Sequence, residues 1–310
     1  MVEALSVLNK GEELASRLPP LLVAANRVAA TIIQGVHGRR RVGQGETFWQ
    51  FRRYQYGDPI DDIDWRQTAK TERVYVRETE WEAAQSIWLW CDASPSMRWR
   101  SQRDLPEKHE RAALLTLALA ALLVRAGEQV ALIGEGVPPR SGRATLSRLA
   151  LALSREETNM PGLPPPSALP RHAEVVLVGD FLSPLPEVDR AVRGIAGRAI
   201  RGHILLVLDP AEETLPFLGR TRFEGLEAEG DTLVPRVESV RDDYHQVLSA
   251  HIGGLSDIAR AVGWTFDRHR TDRPPNATLL ALYQTMAHSG RGVSYRAKPS
   301  GGPGTAGFGV

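Results

Sequence analysis

Four segments that are apolar at every position after the first, Ser86–Cys91, Gln129–Gly134, Glu174–Gly179 and His203–Leu208, constrain this chain more than any other feature. Helical patterns lie between them: Glu107–Ala126, then Thr145–Leu153, then Leu185–Gly197 beyond the proline-rich segment Met160–Pro170. A strand that is apolar at every position has no face to offer water, so it needs a covering layer on both sides. Such strands alternating with helices predict a doubly wound, mostly parallel α/β sheet of the Rossmann-like kind. Sheets of this kind place ligands at the carboxyl edge, where the strand order reverses.

The remainder divides around that core. Residues 1–84 read as a smaller N-terminal α+β subdomain. It holds amphipathic patterns at Gly11–Leu18 and Pro20–Ile33, a Gly- and Arg-rich link at Gly35–Gly45, and an aromatic-rich stretch from Phe48 to Trp81. Within that stretch Val74–Trp81 alternates as a strand does, and Glu78, Glu80 and Glu82 suit a solvated edge that discourages further pairing. Residues 85–297 form the α/β domain. Beyond His203–Leu208 it continues with strands near Thr221–Leu226 and Thr232–Val237, a helix over Asp242–Val262, a strand at Trp264–Arg268 and a helix at Ala277–His288. Residues 298–310, rich in Gly and Pro, carry too little apolar surface to order themselves.

Composition removes several classes of function. A net charge of +1 on 310 residues gives no general attraction to nucleic acid or an anionic membrane, and Gly38-Arg39-Arg40-Arg41 reads as a solvated loop. The longest apolar stretch, Ala112–Val124, is too short to span a bilayer and contains Thr116. Cys91 is the single cysteine, which excludes an internal disulfide framework and fits a reducing compartment. The N-terminus lacks a basic segment followed by an apolar one, so a cytoplasmic location is expected. The eight histidines are scattered without metal-ligand spacing, which argues against zinc. Gly43-Gln44-Gly45 lacks the third glycine of a dinucleotide fingerprint, and neither a phosphate-binding Gly-x-x-x-x-Gly-Lys loop nor a Gly-x-Ser-x-Gly elbow occurs.

One constellation carries chemistry. Asp92-Ala93-Ser94-Pro95-Ser96 directly follows the first core strand, and alternate spacing turns three side-chain oxygens toward one point above the sheet edge. Thr145 opens the helix after the second strand, and Asp180 ends the third. Two carboxylates and three hydroxyls suit a hard divalent cation, which prefers oxygen donors and retains water. The plainer readings are a turn whose side chains cap the following backbone, and a helix N-cap at Thr145.

Asp92, Ser94 and Ser96 with Thr145 and Asp180 resemble the metal-ion-dependent adhesion site of von Willebrand factor A domains. Upstream, Arg53-Tyr54-Gln55-Tyr56-Gly57-Asp58-Pro59, Ile63-Asp64-Trp65-Arg66-Gln67-Thr68-Ala69-Lys70 and Val74-Tyr75-Val76-Arg77-Glu78 are similar to the signature of the family labelled domain of unknown function 58. That signature precedes an A-like domain in the family. Many members carry a basic residue between the Gly-Asp and Ile-Asp-Trp parts, where this chain has Asp61 and Asp62. The resemblance implies a von Willebrand factor A-like fold in which Asp92, Ser94, Ser96, Thr145 and Asp180 hold Mg²⁺ (or Mn²⁺ or Ca²⁺) weakly. It further implies a protein partner that supplies a carboxylate, a pairing with a MoxR-type AAA+ ATPase, and no catalysis. The rival is a Mg²⁺-dependent phosphohydrolase of the haloacid dehalogenase type, which needs a second acid where Ser94 stands. The surroundings of Asp92 discriminate: a lysine and further acids suit hydrolysis, hydroxyls suit adhesion. Asp64-Trp65-Arg66 is expected to form a turn, with the tryptophan packed between the small subdomain and the sheet.

Overall fold

A computed structural model of the chain describes residues 20–37, 48–54, 63–71, 73–79, 85–155, 161–197, 200–227 and 230–290. The expected helix at Gly11–Leu18, the Gly57-Asp58 turn, the arginine run at 39–41, Glu80, Glu82 and the tail from 298 lie outside these residues.

Chain order begins with helix α1 (Pro20–His37), strand β1 (Phe48–Arg53), the single-turn helix α2 (Trp65–Thr68) and strand β2 (Tyr75–Thr79), with β1 and β2 paired antiparallel. There follow β3 (Ser86–Cys91), α3 (Lys108–Arg125), β4 (Gln129–Leu132), α4 (Arg143–Leu153), β5 (Glu174–Gly179), α5 (Leu185–Ala196) and β6 (Arg201–Leu208). The short helix α6 (Pro210–Thr214), strands β7 (Thr221–Glu224) and β8 (Asp231–Val234), α7 (Arg241–Ala261), β9 (Thr265–Arg270) and α8 (Pro275–Gly290) complete the described elements.

The main sheet has the order β4-β3-β5-β6-β9, every neighbouring pair parallel. Its faces feed two separate cores. Ile87, Leu89, Val176, Val178, Leu205 and Val207 pack with residues of α1, α3, α4 and α8. Trp90, Val175, Leu177, Ile204, Leu206 and Leu208 turn the other way, toward α5 and α7. This is the two-sided covering that the apolar runs require, and β5 is buried along its whole length.

The N-terminal region departs from its expected boundary. Leu22, Ala25, Ala29 and Ile32 form one stripe of α1, fully packed into the first core. The stripe lies on α3, whose own residues Ala112 to Leu123 are almost all buried, because α3 is sandwiched between α1 and the sheet. The helix assigned from sequence to the 1–84 subdomain is therefore a layer of the α/β core. It also runs on to His37, past the glycine taken as the start of a link.

Trp65 corrects another expectation, since it is 63% exposed rather than packed. Asp64 caps α2 by accepting from the Gln67 amide at 2.8 Å, and the cap turns the first helical side chain outward. Strands β7 and β8 form an antiparallel hairpin outside the main sheet. No described helix is long and apolar enough to cross a membrane.

Candidate metal-binding site at the carboxyl edge of the sheet

From β3 the chain moves outward through α3 to β4, then returns past β3 to β5 on its other side. The order thus reverses between β3 and β5, and the residues that follow these two strands, Asp92 and Asp180, stand at that switch point. Asp92 continues the ladder by one residue, its amide donating to the Val178 carbonyl at 2.8 Å. Pro95 then starts a 3-10 turn closed by Met97 N–H to the Ser94 carbonyl at 3.1 Å, and the fully buried Met97 side chain anchors it. After β5 the chain turns sharply at Phe181, with φ 50°. A left-handed residue with a Cβ costs on the order of 1–2 kcal/mol. Burial of the Phe181 ring, 5.8 Å from the Trp90 ring, offsets that cost and fixes the direction of Asp180.

The side chains meet in a chain of contacts. Asp92 Oδ1 accepts from the Ser94 amide at 2.8 Å. Ser96 Oγ donates to Asp180 Oδ2 at 2.7 Å and lies 3.1 Å from Ser94 Oγ. Asp92 Oδ2 is buried and has no hydrogen-bond partner. It leans over Gly179, where a Cβ would sit 2.7 Å from Asp92 Cβ and 2.9 Å from Oδ2. Burial first, then the Asp180 carboxylate, push the Asp92 carboxyl up to about 7, against the opposing pull of its bonds to Ser94. An orphaned carboxylate oxygen, a second carboxylate and two hydroxyl oxygens with free lone pairs fit a hard cation. Among the described residues no group of three or more His, Cys, Asp or Glu is placed to hold a metal, so such a site depends on its hydroxyls.

Thr145 stands apart from these contacts. It is buried in the first turn of α4, and its hydroxyl donates to the Ser141 carbonyl at 3.1 Å. The N-cap is Gly142, at φ 93°, so Thr145 is not the cap either. None of its hydrogen bonds reaches Asp92, Ser94, Ser96 or Asp180.

Three residues at the site were not foreseen. Lys108 opens α3 and is 1% exposed, with Nζ 2.9 Å from Asp180 Oδ2 and 2.5 Å from Glu212 Oε1. Burial pulls its pKa down, but the two carboxylates outweigh burial and hold the ammonium above its ordinary value. The available signal was its rarity, one of four lysines among 38 basic residues and placed at the head of an apolar helix. Glu227, at the tip of the β7–β8 hairpin, accepts from the Ser96 amide at 3.2 Å, a contact across 131 residues that no local pattern encodes. His109 spans the Asp92 carbonyl (3.0 Å) and the Leu153 carbonyl (3.2 Å), tying the end of β3 to the end of α4. Burial above all lowers its pKa, and a neutral imidazole has one N–H to give to those two acceptors.

The fold and this cluster define a doubly wound α/β protein with a cluster of oxygen-bearing side chains at its switch point. The chain belongs to the family described as protein of unknown function DUF58, whose model matches residues 50–252. It is similar to uncharacterized protein Rv1480 of Mycobacterium tuberculosis and uncharacterized protein Mb1516 of Mycobacterium bovis. Each is 27% identical over 281 residues, covering 84% of this chain and 86% of the relative. Among solved structures it is similar to an aerotolerance-related membrane protein from Bacteroides fragilis, with TM-score 0.42, 16% identity, and coverage of 66% of this chain and 100% of that one. The conserved hypothetical protein BatB from Bacteroides thetaiotaomicron matches with TM-score 0.40, 16% identity, and coverage of 66% and 98%.

Proposed function

We propose that this chain is a metal-dependent protein–protein interaction module of the von Willebrand factor A type. In this reading Asp92, Ser94, Ser96 and Asp180, with Thr145 as the remaining donor of the set, hold Mg²⁺ (or Mn²⁺ or Ca²⁺), and a partner's carboxylate completes the shell. The observation that carries the reading is Asp92 Oδ2, buried without a hydrogen-bond partner beside a second carboxylate and two hydroxyls. Leaving such an oxygen unsatisfied costs roughly 1–3 kcal/mol, more when it is charged, and a bound cation removes that cost. The ion supplies a positive centre with open positions. The chain supplies the donors, which are buried except for the half-buried Ser96, at the switch point between β3 and β5. The partner of choice is a MoxR-type AAA+ ATPase or a client that the two proteins handle together.

Calorimetric titration with Mg²⁺ or Mn²⁺ tests this. Binding is expected to be weak, because hydroxyls are poor donors and the shell stays open. Asp92→Ala is expected to abolish it with the far-ultraviolet spectrum unchanged, and undiminished binding by that variant would refute the assignment. Capture of the ATPase by wild-type protein is expected to vanish in EDTA.

Lys108 keeps the phosphohydrolase reading in view, since a lysine beside two carboxylates suits phosphoryl transfer. That reading still lacks the acid two residues beyond Asp92, where Ser94 stands. On generic phosphate esters with Mg²⁺ the purified protein is expected to show no turnover above a Ser96→Ala control. Turnover that disappears specifically in Asp92→Asn would favour the hydrolase instead.

A further inference from the structure

The placement of Lys108 calls for a reason of its own. It stands at the first position of α3, where the helix dipole disfavours a cation, and it is 1% exposed, where burial disfavours any charge. Both costs are met by Asp180 Oδ2 at 2.9 Å and Glu212 Oε1 at 2.5 Å. Asp180 Oδ2 thus already takes two donors, Lys108 Nζ and Ser96 Oγ, the latter at 2.7 Å. Neither partner of the ammonium is free to drift. Glu212 is fixed by its second oxygen, which accepts from the Asp209 amide at 2.8 Å, and by the Tyr244 hydroxyl, which donates to its carbonyl at 2.6 Å. Asp180 is fixed by the left-handed turn at Phe181.

We propose that Lys108 is a built-in competitor of the divalent ion: its ammonium holds Asp180 when no metal is bound and sets the metal affinity of the site. This rests on the metal-binding reading above. A cation entering beside Asp92 meets two carboxylates, but also a fixed positive charge on Asp180 Oδ2, the same oxygen that accepts from Ser96. It gains less from Asp180 than the carboxylate alone would give, and it must share or displace the ammonium's contact. Without Lys108 the same ion would meet Asp92, Asp180 and Glu212 uncompensated. The residue therefore determines how readily the site fills, and the metal itself touches only the donor set already named.

Two measurements on the full chain test this. In the first, Mn²⁺ binding is followed by electron paramagnetic resonance in the wild type and in Lys108→Met, which keeps the bulk and removes the charge. Removing one fixed positive charge a few ångströms from a divalent ion is expected to tighten binding about tenfold or more. Adding Asp92→Ala is expected to cancel the gain, which places the ion at this site. Equal or weaker binding by a folded Lys108→Met overturns the proposal and leaves the metal reading standing, whereas no binding by either protein sinks both. The second measurement reads the wild-type lysine itself, so it decides the matter if Lys108→Met does not fold. With four lysines in the chain, the ¹⁵N-labelled side-chain ammonium of Lys108, buried and held by two carboxylates, should be protected from exchange and assignable by its loss in Lys108→Met or Lys108→Arg. Its resonance is expected to shift when Mg²⁺ is added to the wild type and to stay in place in Asp92→Ala. A resonance that stays in place while calorimetry records Mg²⁺ binding to the wild type overturns the proposal.

Discussion

A Gly179→Ala variant is expected to lose measurable divalent-ion binding and about 2 kcal/mol of stability, near the middle of the range for overpacked buried sites. The added methyl would lie 2.7 Å from Asp92 Cβ, 2.9 Å from its Oδ2 and 3.2 Å from the Trp90 ring. Carbon atoms do not approach that closely, so something must move. Asp92 Cβ is bonded directly to a backbone held in the ladder by its amide, and Trp90 is itself buried against Phe181. The group with most freedom is the Asp92 carboxylate, and swinging it aside removes the oxygen on which the site depends. Gly162→Ala is the matched control. Its methyl would lie 3.6 Å from Ser94 Oγ and 3.7 Å from Ser183 Oγ, which is ordinary contact. It is expected to keep both affinity and stability. Metal titration and thermal melting of the two variants separate displacement of Asp92 from general damage.

Gly202→Ala is expected to be the most destabilising single methyl in the described part of the chain, at about 3 kcal/mol or more. A Cβ there would fall 2.2 Å from Trp264 Cδ2 and 2.4 Å from Cε2, far closer to the indole than carbon atoms approach. Gly202 belongs to β6, where it pairs with Val175 of β5, and its neighbour His203 pairs with Thr265 of β9, so the strand has little room to shift. Trp264 is also fixed, being 5% exposed with its indole N–H donating to the Ile200 carbonyl at 3.0 Å. A fall of about 5–10 °C in melting temperature is the expected reading. The cause can be isolated by a double-mutant cycle. In a Trp264→Ala background, itself less stable by roughly 3–5 kcal/mol, Gly202→Ala is expected to cost almost nothing further. An unchanged penalty there would place the strain in the strand and not against the ring.

What could be read in the sequence follows from how far each signal reaches along the chain. Glu174–Gly179 and Ser86–Cys91 are strands with the expected limits, because a fully apolar run is its own evidence for two covering layers. Arg201–Leu208 begins two residues before the expected His203, since strand pairing extends past the apolar run. Asp92, Ser94 and Ser96 are a local pattern, and Asp180 is tied to them by the register of β5 against β3. Thr145 makes its hydrogen bond within its own segment, to the Ser141 carbonyl, so no contact of the other four reports on its place in the set. Lys108, His109 and Glu227 reach the site from elements whose packing no short pattern encodes. Trp65 misled because its bulk suggests burial, whereas the cap at Asp64 decides where it points.

The sandwiching of α3 bears on where this protein begins and ends as a physical object. The family model spans residues 50–252, yet α1 (Pro20–His37) lies before that span and α8 (Pro275–Gly290) after it. Both rest on the same side of the sheet, and Leu22, Ala25, Ala29 and Ile32 share one core with Leu279, Leu282 and Met286. A fragment cut at the limits of the family model would therefore keep Asp92 and Asp180 but lose the edge strand β9 and the two helices that cover the outer face of α3 and the sheet beside it. The borders of the family model and of the cohesive unit differ: residues 50–252 carry the site, while α1, β9 and α8 complete the sheet and one of its two cores.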